Sequence, residues 1–283
     1  MEQATHHIRR AEESPKRPGR LVLLGQMLDA TNRRTVPIRR AFLQTPKQAG
    51  NAPRNGPLSR LVRDPAALDA YLLIHAMASA SEPYDTWYPV PTWAQVCGLT
   101  EYAELPAARS RWAKIVTRLE REQLIARSRS GNRMAYLLRH ESGSGGPYTR
   151  PIAAEHGHWF SLPHVYWLHE FDRQLSTPEK VMLLISLDQQ DDFRLPADRA
   201  PAWYGISEST ARRGFHGLAE RGILDVRSTM EPEAKSPTGW KETLYYTATG
   251  DWSREARTKV NSRKTVMFTN TTAKSPKPRK KKK

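Results

Sequence analysis

Apolar positions along the chain fall into two series of the same order, separated by a stretch of glycine and serine. The second series is the sharper. Ser176-Thr177-Pro178-Glu179 is a helix start: Ser176 caps, Pro178 suits the first turn and Glu179 completes a capping box. The run Val181, Met182, Leu183, Leu184, Ile185, Leu187 then fits a helix buried over much of its surface. A short helix is predicted over 196–203, followed by a turn at Gly205, where the missing Cβ permits positive φ. Ser207 caps the next helix. Ala211, Phe215 and Leu218 recur at i, i+4 and i+7 on one face, and Gly222 is placed to end the helix. Two strands are predicted over 223–227 and 243–247. Gly214 and Gly217 inside the helix each cost about 1 kcal/mol against alanine, and are read as close-packing sites.

The first series repeats this order. Residues 66–80 carry Leu68, Tyr71, Leu72, Ile74, His75 and Met77, a buried first helix. Residues 91–99 give a second helix and its turn at Gly98, with Cys97 beside it as a small buried hydrophobe. Ala108, Trp112, Ile115 and Leu119 predict a long helix over 106–122. Arg111, Lys114, Arg118 and Arg121 lie on an adjoining face. Leu124-Ile125 leads into a hairpin turning at Ser130-Gly131-Asn132, with 134–138 as the return strand. Leu119 with Leu124-Ile125 matches Leu218 with Ile223-Leu224, and Gly98 matches Gly205, with an insertion at 101–106 between them. An internal duplication explains the match, and chance similarity of two units of one fold would look alike.

Gly205, Ile206, Ser207, Thr210, Arg213, Leu218 and the run from Glu220 to Leu224 give the 176–248 stretch its signature. It resembles the winged helix-turn-helix proteins, in particular the MarR-like and GntR-like regulator modules. The resemblance implies a mainly α protein with small β-hairpin wings, an α+β fold of two tandem winged-helix domains with basic, largely disordered tails. This tandem layout is similar to that of plasmid replication initiators. The expected organisation is a basic N-terminal arm at 1–57, a winged-helix domain at 58–141, a linker at 142–157, a second winged-helix domain at 158–250 and a basic disordered tail at 251–283. The arm is expected to be only partly disordered, since Leu21 to Leu24, Met27, Leu28, Val36, Ile38, Phe42 and Leu43 suit a short packed element. Ser142-Gly143-Ser144-Gly145-Gly146-Pro147 supplies the linker's flexibility.

Charge sharpens this division. The chain of 283 residues holds 45 Lys and Arg against 29 Asp and Glu. Residues 1–57 carry a net +7 and residues 251–283 a net +10, so the middle is close to neutral. Within that middle, 109–139 has nine basic and two acidic residues, spanning the first recognition helix and its wing. No apolar run approaches the roughly 20 residues of a membrane span, and a single cysteine excludes an internal disulfide. A cytoplasmic, nucleoid-associated protein with no membrane partner is expected.

A helix-turn-helix places its second helix in the major groove. There Arg and Lys read guanine edges, and Ser and Thr read either base pair. The candidate DNA contacts are Arg109, Arg111, Lys114, Arg118 and Arg121 on the first such helix, with Arg129 and Arg133 at its wing. On the second they are Ser207, Ser209, Thr210, Arg212, Arg213 and His216. Lys280, Lys281, Lys282 and Lys283 in the tail suit phosphate contact through counterion release. No metal or cofactor is expected. His156, His158, His164 and His169 do not share a helical face, and Asp188, Asp191 and Asp192 read as a polar helix end. No Gly-rich phosphate loop, nucleophile elbow or His-Glu-x-x-His motif is present, so no enzyme is predicted. The expected function is sequence-specific binding of double-stranded DNA in transcriptional regulation. The alternatives are a replication initiator of a plasmid or mobile element, and an interaction protein of chromosome or DNA-processing machinery that docks a protein partner through one winged helix. The oligomeric state stays open, a homodimer included.

Overall fold

The computed structural model describes residues 18–46, 54–101, 103–131, 133–151 and 157–262. Both ends of the chain, with Lys280 to Lys283, lie outside the described residues, as does His156. The fold is α+β with small antiparallel sheets. After α1 (Arg20–Asp29), two similar sets of elements follow. The first is β1 (Thr35–Arg39), α2 (Pro57–Leu61), α3 (Pro65–Met77), β2 (Asp85–Thr86), α4 (Val90–Val96), α5 (Leu105–Arg121), β3 (Ile125–Ser130) and β4 (Arg133–Leu138). The second is β5 (Trp159–Pro163), α6 (Val165–Leu168), α7 (Phe171–Gln174), α8 (Thr177–Asp188), α9 (Ala200–Tyr204), α10 (Glu208–Glu220), β6 (Leu224–Pro232) and β7 (Trp240–Ala248), followed by α11 (Arg254–Ser262).

Pairing confirms that the sets correspond. The first sheet has the order β2-β4-β3, with Thr86 opposite Tyr136. In the second set the counterpart of β2 shrinks to a single bridge, Phe193 opposite Tyr246 on β7. Ile125 pairs with Leu138 as Leu224 pairs with Ala248. Gly98 and Gly205, at φ 69° and 66°, make the left-handed turn after α4 and α9. Local chemistry starts the helices where expected. Asp64 accepts from the Ala67 N–H at 3.2 Å ahead of α3, the Ser176–Glu179 capping box opens α8, and Ser207 accepts from the Thr210 N–H at 3.2 Å ahead of α10. Gly214 and Gly217 are close-packing sites. A Cβ on Gly214 would stand 2.4 Å from the Pro178 carbonyl oxygen and Met182 Cγ, and one on Gly217 2.4 Å from Glu179 Oε1. Their absence of side chains lets α10 lie directly on α8.

The two sets join through an antiparallel pair of their first strands, from Thr35 opposite Pro163 to Arg39 opposite Trp159. Each turn glycine backs onto the other set: Gly98 faces Arg173 of α7, and Gly205 faces Asn55 just ahead of α2. Lys180 lies 2.7 Å from Asp69, and Arg40 2.7 Å from Asp188. One cluster of buried apolar side chains runs through both sets, with Trp93, Trp112, Trp167, Tyr71 and Tyr166 among its largest members.

Three expectations meet this joint, the packed element of the N-terminal arm and, as corrections, the C-terminal tail and the flexible linker. Residues 20–43 fold, with Leu24, Leu28, Val36, Ile38, Phe42 and Leu43 buried. The described part of the expected C-terminal tail folds too: Trp252 and Arg257 are buried, and Arg257 donates to the Trp252 carbonyl at 3.0 Å. The glycine-serine stretch is packed. Gly143 and Gly145, both at φ 74°, turn the chain so that the His140 N–H meets the Gly146 carbonyl at 2.9 Å. Buried residues pin it on both sides. Glu141 is wholly enclosed and accepts from Arg39 at 2.6 Å, while Tyr148 and Arg150 are buried beyond it. Glycine supplies flexibility only where the flanks find nothing to hold.

Candidate nucleic-acid interface

α5 buries Ala108, Trp112, Ile115, Val116 and Leu119. Trp112 stacks on Trp93, centroids 5.2 Å apart, and donates its indole N–H to the Tyr136 hydroxyl at 2.7 Å. These contacts fix the helix against α4 and against the sheet. The opposite face then has no choice but solvent, and it carries Arg109, Arg111, Lys114 and Arg121, all exposed. Arg118, half-buried, lies 2.9 Å from Glu122.

The acids nearby are already committed. Glu122 also pairs with Arg60. Glu120 accepts from the Arg127 backbone N–H at 3.0 Å and from its guanidinium. That side-chain hydrogen bond, with the adjacent charge, holds the Glu120 carboxyl below its ordinary range. Arg109, Arg111, Lys114, Arg121 and, in the hairpin, Arg129 therefore have no acidic partner among the described residues. At the hairpin tip, where Gly131 turns at φ 60°, Arg133 lies over the ring of Trp87, 4.6 Å from its centroid. Trp87 is an exposed indole beside the cations that sequence reasoning missed. Nothing along the chain links it to a residue so far away.

α10 is built alike but dressed differently. It buries Ala211, Gly214, Phe215 and Leu218, and Phe215 stacks on Tyr246 with centroids 4.1 Å apart. On its exposed side Arg212 donates to Glu208 at 2.9 Å, and His216 lies 3.3 Å from Glu220. Arg213 donates to the Ser209 carbonyl at 3.3 Å. Ser207 and Thr210 serve the cap, their hydroxyls 2.8 Å apart, and Ser209 is exposed beside them. Aligned through the equivalent strand pairs, Arg109, Arg111, Lys114, Arg118 and Arg121 of α5 stand where α10 has Glu208, Thr210, Arg213, Gly217 and Glu220.

The histidines do separate work. His158 lies 3.1 Å from Asp188, and His169 stacks on Phe171. His164 is buried, and desolvation, helped by Arg33 and Arg34, pushes its pKa down to about 3. Burial also pushes the Cys97 thiol up, which suits an inert packing residue. Among the described residues no group of three or more His, Cys, Asp or Glu is placed to hold a metal ion. No helix among them is long and apolar enough to cross a membrane. No protein family matches this chain, and no curated protein or solved structure matches it.

Proposed function

We propose that this chain binds double-stranded DNA sequence-specifically through two winged-helix units, with α5 and the β3–β4 hairpin as its principal grip. The order helix, short strand, helix, helix, hairpin in the first set, repeated in the second with a single bridge in place of the short strand, supports the winged-helix reading. The observation that carries the function is the row of unpaired cations on α5. A helix that merely faces water gains from pairing its cations with acids four residues away, as Arg212 and Lys259 do with Glu208 and Glu255 elsewhere in this chain. On α5 most cations have no acidic partner among the described residues, on a rigid helix beside a cationic hairpin. Arg111 and Lys114 then meet base edges in the major groove, while Arg129 and Arg133 hold phosphate. Ser209, Arg212, Arg213 and His216 of α10 extend the reading to a second stretch, and Lys280 to Lys283 add a sequence-independent hold. The chain acts without catalysis, as a regulator of transcription.

One observation favours a second reading, a replication initiator of a plasmid or mobile element. Both units sit in one chain and share a core, so their two reading helices keep a fixed relation without a partner. The test is selection of bound duplexes from a random pool, followed by a genome-wide map of occupied sites. Expected is a two-part motif of constant spacing. Scattered promoter sites support the regulator, an iterated single locus supports the initiator, and the absence of any enriched motif overturns sequence-specific binding.

A further inference from the structure

β6 and β7 form a sheet of only two strands, nine residues each. The far edge of β7 takes Phe193 at Tyr246, but no other strand among the described residues pairs with β6. Proteins blunt such open edges with lysine, proline or a bulge. β6 has no lysine, no proline before its last residue Pro232, and an unbroken register with β7. Apolar side chains crowd one face of this hairpin: Val226, Met230, Trp240 and Leu244 are 38%, 60%, 51% and 39% exposed. The equivalent strand β3 is shorter, six residues, and its charges, Arg127 and Arg129, share one sign, whereas β6 carries both signs in Asp225, Arg227 and Glu231.

We propose that β6 is a self-association strand, pairing antiparallel with β6 of a second copy about Thr229 to give a continuous four-stranded sheet. The occupant follows from the strand's own charges. Side chains alternate between faces, so a strand paired with its own copy keeps both faces matched only when the pairing centres on a residue. Three centres within 224–232 overlap by seven residues or more. Centred on Ser228, Asp225 meets Glu231 at both ends. Centred on Arg227, that cation meets itself. Centred on Thr229, Arg227 meets Glu231 at both ends, Thr229 meets Thr229, and Val226 meets Pro232. Opposite charges and threonine pairs across strands stabilise, whereas like charges directly opposite destabilise. Arg227 lies exposed on the hairpin's polar face, 2.7 Å from Asp192 and 4.4 Å over the Tyr245 ring, so a second copy's Glu231 competes for it with an exposed pair. Glu231 accepts from the Tyr245 hydroxyl at 2.7 Å and lies 3.2 Å from Arg194, with lone pairs left for a second arginine. Such an interface uses the same strand on both copies and closes at a dimer. It does not rest on the DNA-binding reading.

The test is the mass of the full chain, freed of nucleic acid, by sedimentation over a wide concentration range. A concentration-dependent dimer is expected. Arg227→Glu and Glu231→Arg should each weaken it roughly tenfold or more, about 1.4 kcal/mol, and the double exchange should restore it. Thr229→Cys provides an independent readout. Oxidation should give a covalent dimer through position 229, whereas Asp198→Cys, exposed on another segment, should not. A wild-type chain that stays monomeric overturns the proposal. So does a dimer indifferent to both charge changes, one not restored by the exchange, or equal crosslinking at 229 and 198.

Discussion

α5 and α10 occupy the same place in two copies of one arrangement, yet they present nearly opposite surfaces. Both bury a stripe against the hairpin and a neighbouring helix. Where α5 has Arg109 and Arg121, α10 has Glu208 and Glu220, which hold Arg212 and His216. Packing constrains the inward positions of a repeated frame and leaves the outward ones free to diverge. The frame therefore says little about which copy grips a polyanion, and the unpaired charge says much.

The largest expected effect tests that contrast directly. Arg111→Glu combined with Lys114→Glu should lower duplex affinity at least about 100-fold at moderate salt, since attraction to phosphate becomes repulsion. Arg212→Glu with Arg213→Glu should cost clearly less by mobility shift. Equal losses would erase the distinction between the units.

Packing differs between the units as well. Ile115 and Arg118 of α5 stand where α10 has Gly214 and Gly217. Gly214→Ala should cost roughly 1–3 kcal/mol from overpacking against the Pro178 carbonyl, despite about 1 kcal/mol gained in helix propensity. Gly217→Ala should cost less, because the atom it meets is the end of the Glu179 side chain. Urea unfolding reads both, and a stabilised Gly214→Ala would contradict the contact.

The junctions ahead of the two sets differ in their titration. Arg40, just after β1, pairs with Asp188, whereas its counterpart His164 after β5 is buried and neutral. The unfolded chain takes up a proton at His164 near pH 6.5, but the folded chain resists until about pH 3. Stability from this residue is therefore complete above pH 6.5 and falls as pH drops toward 3, by about 2 kcal/mol at pH 5. Melting of His164→Gln should depend less on pH over that window than the wild type, and an unchanged profile would place the acid sensitivity elsewhere. A smaller gain should follow from grafting the first surface onto the second. Glu208→Arg with Glu220→Arg should raise duplex affinity several-fold and steepen its salt dependence.

Helices α5 and α10 were legible in the sequence because their apolar spacing is helical over several turns, and the caps at Ser176 and Ser207 mark where α8 and α10 start. The close-packing role of Gly214 and Gly217 was legible too, since glycine in a helix interior needs a neighbour to justify it. The β1–β5 joint was not. Every residue of Thr35–Arg39 is buried, Pro37 included, so no alternation marks a strand, and its partner is more than a hundred residues away. The same distance hid the pinning of the glycine-serine stretch, because Glu141 finds its arginine at position 39. In the site, the cations of α5 were visible but not their isolation. Glu120 and Glu122 stood in the sequence as available partners, and only the fold commits them to Arg127, Arg60 and Arg118.

Whether α5 is the grip on DNA is tested most directly by the salt dependence of binding. Fluorescence anisotropy of one selected duplex would be followed over a range of salt for the full chain, for Arg111→Ala with Lys114→Ala, and for Arg212→Ala with Arg213→Ala. Expected is a slope of log affinity against log salt shallower by up to about 2 for the α5 pair, with little change for the α10 pair. An unchanged slope for the α5 pair, or a larger loss for the α10 pair, would contradict α5 as the face that holds the duplex.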